Sequence, residues 1–357
     1  MLSTPAQQAT DLLRQLIAIP SLSREEDKTA DCLEEYFRSR NLAPRRTGNN
    51  VWLKARNWRD DGRPTVLLNS HHDTVKAAAG YTRDPHAPDI QGDTLYGLGS
   101  NDAGGPLVSL IAAFLVLEND PALHCNLLLA ATAEEEISGP EGIAALLPEL
   151  PPIDCAIVGE PTSLNLAVAE RGLIVIDGET TGVSGHAARN EGTNALYLAL
   201  EDIDRLRNYR FARLSELLGP VGVTVTQIQA GSQHNVVPDR CRFVIDARVN
   251  ECYTNQEVVD LLQGEMRHAR LQPRSLRLNS SGIPAHHPLV RAGLALGRPT
   301  YGSPTLSDQA LMPFPTRKLG PGDSARSHTA DEYILLSEVE AGIELYIKLI
   351  RQAYGTN

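Results

Sequence analysis

The sequence is poor in cysteine and aromatic residues, with five cysteines among 357 residues and 5% Phe, Trp and Tyr. Cys32, Cys125, Cys155, Cys241 and Cys252 form no CxxC pair, which argues against a disulfide framework or a zinc ribbon and fits a reducing compartment. Positive charge is also scarce: the formal net charge is -11, and no Lys/Arg run is interleaved with aromatics. Broad nucleic-acid binding, which needs basic patches to displace counterions, is therefore not expected. No run of apolar residues approaches the length of a membrane span. The opening MLSTPAQQATDLLRQLIAIP has neither a basic start nor a continuous apolar core. The expectation is a cytoplasmic protein with no membrane partner.

What is present is an ordinary globular composition, 42% hydrophobic and 22% charged, over a length that suggests two domains or one domain with an insertion. Helical spacing of Leu12, Leu13, Leu16 and Ile17 opens the chain, and Ser23 to Glu26 reads as a capping box for a helix running to about Arg40. Apolar runs at 64–69, 125–130 and 156–159 alternate with helical stretches at 105–117 and 143–147. Strands that are apolar throughout belong to a mixed, mostly parallel α/β sheet with helices on both faces.

From about Gly172 the order becomes β-α-β-β-α-β, with strands at 173–178, 221–228, 242–249 and 275–278 and helices near 195–206 and 256–267. That order is ferredoxin-like and forms a compact unit by itself. The expected division is 1–171 with 282–357 as one domain and 172–281 as an inserted one. A final helix runs from Ser337 to about Tyr354.

Four first-domain strands end in groups able to bind metal: Asn69-Ser70-His71-His72-Asp73, Gly99-Ser100-Asn101-Asp102, Glu134-Glu135-Glu136, and Gly159-Glu160 before Pro161. Strand carboxyl ends open into the ligand crevice of an α/β sheet, so these segments can converge. Three adjacent carboxylates after a buried strand call for water or a cation. Strand alternation groups His71 with Asp73, which can accept the second ring N–H of a ligand histidine, and turns His72 away. Gly97-Leu98-Gly99-Ser100-Asn101-Asp102 is no dinucleotide fingerprint, because Asp102 occupies the third glycine position. In the triplet, Glu136 is assigned as ligand and Glu135 as general base. His328 closes a glycine-rich loop beginning at Gly320. Each segment alone also has an ordinary reading: a surface turn, an N-cap aspartate, a solvated acidic loop, a loop glutamate or a surface histidine.

Together His71-His72-Asp73, Gly99-Ser100-Asn101-Asp102, Glu135-Glu136, Gly159-Glu160-Pro161-Thr162, Ser184-Gly185-His186-Ala187 and Ser327-His328 resemble the dinuclear zinc aminoacylase/carboxypeptidase family over nearly the whole chain. The stretches 96–104, 233–239, 302–310 and 327–333 look most like its acetylornithine-deacetylase branch. The resemblance implies a zinc-peptidase-like catalytic domain with an inserted lid and dimerisation domain. It implies that Asp102 bridges two divalent metal ions, with His71 and Glu160 completing one site and Glu136 and His328 the other. Zinc suits such donors, with cobalt or manganese as alternatives.

The resemblance also places His186 and Asn235 at the scissile carbonyl, His186 from the partner subunit of a homodimer, and gives Arg248 the substrate α-carboxylate. The implied substrate is a small N-acyl amino acid, N2-acetyl-L-ornithine first. N-succinylornithine, N-acetylcitrulline, succinyl-diaminopimelate and short peptides follow. The chain departs from the family at Thr74-Val75-Lys76, where valine-valine-proline is common, and at Ala103, where a basic residue often stands.

Overall fold

The computed structural model describes residues 4–189 and 191–355. The chain forms two compact units: Met1–Val168, Gly282–Tyr301 and Ser307–Asn357 make the first, and Ala169–Ser281 with Gly302–Leu306 makes the second.

The first unit is built on a mixed sheet whose four central strands, in the order Asn126–Thr132, Thr65–His71, Cys155–Val158 and Thr316–Lys318, all run parallel. Asn50–Lys54 and then Arg45–Thr47 extend one side antiparallel, and Leu166–Glu170 lies antiparallel to Thr316–Lys318 on the other. Both faces of the central strands are covered. Val66, Leu68, Leu127, Leu129 and Ile157 pack into the larger core, while Leu67, Leu128, Ala130, Ala156 and Val158 pack with Trp52, Ile143, Leu146 and Met312 on the reverse face. Alternation along each strand produces this division, and coverage on both faces explains why these strands read as continuous apolar runs.

The second unit is a four-stranded antiparallel sheet in the order Gly222–Ala230, Arg240–Val249, Gly172–Thr181, Arg270–Pro273, with helices Ala195–Asn208 and Asn255–Glu265. This is the ferredoxin-like arrangement expected from element order.

Three expectations change. The last strand of the second unit is Arg270–Pro273, not 275–278. The buried Asp202 carboxylate accepts the amides of Arg267, His268 and Ala269, which turns the chain into the sheet several residues early. The capping box does not form at Asp27–Arg38, whose N-cap Glu26 makes no side-chain cap. Ser23 instead donates to Asp73 and Glu26 accepts the Glu134 amide, so both serve the strand ends. Finally, Ser100–Leu117 does reach the length and apolarity of a membrane span, but 83% of it is buried within the protein, and its helical part Gly105–Leu117 packs on the terminal helix Leu336–Tyr354. It is a core helix.

Candidate metal centre

Because the four central strands run the same way, their carboxyl ends share one edge, and the segments that follow them carry His71, Glu135, Glu136, Glu160 and His328. Asp102 arrives on the loop Gly97 to Gly104. Gly99 is required there: its φ is +74°, and a Cβ would stand 2.6 Å from Thr74 Cγ2. Gly322 has the same role in the later loop, with φ +87° and an added Cβ 2.4 Å from Asn101 Oδ1. The bare glycine leaves room for Asn101 to clasp the loop, accepting the Asp323 amide at 3.0 Å and donating to the Asp323 carbonyl at 3.0 Å.

Asp102 stands between the two histidines. One carboxylate oxygen is 3.4 Å from His71 Nε2 and the other 3.6 Å from His328 Nε2. His328 Nε2 also meets Glu136 at 3.0 Å, and His71 Nε2 lies 3.9 Å from Glu135. His71, Asp102 and Glu136 form one group whose ligand atoms all lie within 4.8 Å of one another, and His71, Glu135 and Glu160 form a second. Asp73 is fully buried behind them. Its carboxylate is 3.4 Å from His71 Nδ1, its carbonyl 3.0 Å from the same atom, and it accepts the amides of Glu135 and Glu136 at 3.1 and 3.2 Å. One side chain thus fixes the imidazole and both glutamates. His72 turns away, as alternation requires, between Thr29 and Asn49.

The donor set fits divalent cations. His71 is 1% exposed, and its Nε2 has no hydrogen-bond partner among the described residues while facing carboxylates. Burial, then repulsion from Glu160, Asp308 and Glu136 against the pull of His71, pushes the Glu135 carboxyl well above the ordinary range. Burial and Asp102 push Glu160 up to about 8. For Asp102, burial is outweighed by His71, Ser327 and His328, which hold it below its ordinary value. Burial likewise opposes charge on His71, yet Glu135, Asp102 and Asp73 hold it well above 6.5. The Glu136 contact raises His328 to about 9. Crowded acids that protonate and imidazoles that charge are what a bound cation would relieve.

This gives a pH signature. Glu160 at about 8, Glu332 at about 7 and Asp308 at about 6 sit above their unfolded values, so over this interval these groups bind more protons in the metal-free folded chain than in the unfolded chain, against a smaller opposing contribution near pH 6 from His72 and His287, which are lowered by burial. Stability must then fall as pH rises. His71 and His328 add the same sign: their contribution is present below 6.5 and lost as pH climbs through the folded values. Asp73 and Asp102, which are lowered, act only in acid. In chelator, the Tm is expected to fall steadily from about pH 6 to about pH 9. Added zinc should remove most of that slope, and a Tm that rises with pH in calorimetry would contradict the arrangement.

Residues 67–352 match the description of peptidase family M20/M25/M40. The chain belongs to this family. It is 31% identical over 375 residues to an acetylornithine deacetylase of Proteus mirabilis, covering 95% of each chain. It is also 26% identical over 403 residues to succinyl-diaminopimelate desuccinylase 2 of a Ruegeria species, covering 99% and 98%. The crystal structure of a dinuclear metal-binding M20 peptidase from Bacillus subtilis superposes with a TM-score of 0.75 at 16% identity, covering 97% of each chain.

The other three expected site residues of this M20 chain lie in the second unit. His186 and Asn235 are exposed neighbours, joined by the short ladder Gly185–His186 with Val236–Val237 and by the Ala187 amide donating to the Asn235 carbonyl at 3.0 Å. Arg248 is held by Asp246 through a fork of 2.8 and 3.1 Å, so gripping a substrate carboxylate means exchanging that partner.

Two carboxylates with no role assigned from sequence prove central. Asp308 accepts from Asn69 at 2.9 Å and Thr132 at 2.7 Å beneath the site. Glu332 accepts the amides of Gly99, Asn101 and Asp102 at 2.9, 2.8 and 2.9 Å, which fixes the loop carrying Asp102. Three donors converging on two carboxylate oxygens leave no room for an amide group. Glu332→Gln is expected to lower metal affinity and kcat by about 10- to 100-fold while the protein still folds, as supporting-shell changes do. Wild-type affinity by metal titration would remove Glu332 from that role.

Proposed function

We propose that this M20 hydrolase removes the acyl group from a small N-acyl amino acid, with N2-acetyl-L-ornithine as the leading substrate and ornithine and acetate as products. The supporting observation is 31% identity to the Proteus mirabilis acetylornithine deacetylase across 95% of both chains, joined to the clustering of His71, Asp102, Glu135, Glu136 and Glu160 in two groups able to hold a cation. In this reading His71, Asp102, Glu136, Glu160 and His328 hold two divalent ions, zinc first. Bound metal would supply Lewis-acid polarisation of the scissile carbonyl and a nucleophilic water at neutral pH.

The residues of the chain do the rest. Glu135, its carboxyl raised by burial and neighbouring acids, takes a proton from the attacking water and delivers it to the departing amine nitrogen. His186 hydrogen-bonds the carbonyl oxygen as charge develops there, and Asn235 and Arg248 orient the substrate. The reading includes a cytoplasmic homodimer in which His186 acts across the subunit boundary.

A panel of N2-acetylornithine, N-succinylornithine, N-acetylcitrulline, N-succinyl-diaminopimelate and short peptides, assayed with zinc, cobalt and manganese, tests this. N2-Acetylornithine is expected to give the highest kcat/KM, by about 10-fold or more, a margin of about 1.4 kcal/mol in transition-state binding. A higher value for a succinylated substrate would transfer the assignment to the desuccinylase relatives, and turnover of peptides alone would overturn it.

A further inference from the structure

Arg317 is the largest fully buried side chain among the described residues, 0% exposed, and the assignments above give it no role. It sits in the middle of the short strand Thr316–Lys318, paired through Ile157 with Cys155–Val158. Strand alternation sends it to the face opposite Thr316 and Lys318. The groups whose electrostatics reach it are Tyr346 and Tyr354 of the terminal helix and Cys155. His287, the N-cap of Pro288–Ala295, feels it in turn, its pKa lowered by burial and then by Arg317.

None of these is a counterion. Burial holds Tyr346 and Tyr354 far above their ordinary values and Cys155 at about 11, so all three are neutral at physiological pH. Their polar atoms are also engaged: Tyr346 donates to the Leu319 carbonyl, and Tyr354 meets Cys155 Sγ at 3.4 Å. Nε, Nη1 and Nη2 of Arg317 have no acceptor among the described residues. Burial lowers the guanidinium only to about 10, so it remains charged. A buried cation with neither a countercharge nor hydrogen bonds costs several kcal/mol, and such a group in a native fold calls for an acceptor from outside the chain.

We infer that the Arg317 guanidinium binds a small monovalent anion, chloride, between the sheet and the terminal helix. One negative ion neutralises the charge and accepts the fork of N–H groups, whereas water satisfies the hydrogen bonds and leaves the charge uncompensated. This site is structural and independent of the substrate assigned above.

Two measurements test it. Crystals soaked in sodium bromide are expected to show an anomalous peak within hydrogen-bonding distance of the guanidinium. The Tm of the wild type is expected to rise by about 2 °C or more when gluconate is replaced by chloride at constant ionic strength, by linkage to the folded state. Arg317→Met, which removes the charge and keeps the length, should lose that rise. No bromide peak at Arg317, or equal chloride shifts in wild type and variant, overturns the proposal. Should the variant fail to fold, the bromide data on the wild type decide.

Discussion

Glu135→Gln is expected to lower kcat by about 10³- to 10⁴-fold while two metal ions per chain remain bound. The substitution keeps size and shape, and the backbone does not depend on the carboxylate, since the Glu135 amide is held by Asp73. What is lost is a proton acceptor whose affinity has been raised by burial and by Glu160, Asp308 and Glu136. A carboxylate whose proton affinity is raised in this way takes a proton and returns it more readily than an ordinary surface glutamate. Glu135 also lies in one of the two groups able to hold a cation, with His71 and Glu160. Elemental analysis beside steady-state kinetics therefore separates two roles. Metal retained with turnover lost identifies the base. Metal lost in step with turnover makes Glu135 a ligand, and an unchanged kcat removes it from the reaction.

The parts legible in the sequence were those written into neighbouring residues. Apolar runs interrupted by helices announced a covered sheet, and polar groups at the ends of those runs announced its crevice, because strand direction alone aligns them. His71 and Asp73 could be paired and His72 set aside from the two-residue repeat of a strand. Long-range carboxylate contacts could not be read this way. Glu332 reaches back 230 residues to the Asp102 amide, and Asp308 reaches 239 residues to Asn69. Neither separation leaves a local pattern. Where local pattern did speak, tertiary contacts could override it: Ser23 and Glu26 match a capping box, yet each gains more from a buried partner at the strand ends than from a cap exposed to water. The displaced strand at Arg270–Pro273 has the same origin, a single buried aspartate that no periodicity reveals.

Glu160→Gln should make the metal-free protein more stable and the metal-loaded protein less active. Glu160 follows the strand Cys155–Val158, and its carboxyl is held up at about 8 by burial and by Asp102 and Glu136. Its unfolded value is 4.5, so as pH rises through this interval the wild type must either keep a proton the solvent would remove or accept a repelled charge. Folded-state stability is lost over that window, and a neutral amide avoids the loss. In chelator the two proteins are expected to melt together near pH 5. By pH 8 to 9 the variant should melt higher, by about 5 °C. With zinc the order reverses, because the amide supplies less charge to the cation, and kcat/KM should fall by at least the ~100-fold reached by supporting-shell changes. A variant less stable than wild type in chelator at alkaline pH would mean that Glu160 is satisfied without metal. The cluster would then be an ordinary buried polar network, since electrostatic strain relieved by the cation is what distinguishes a metal centre built from acids from a hydrogen-bonded one.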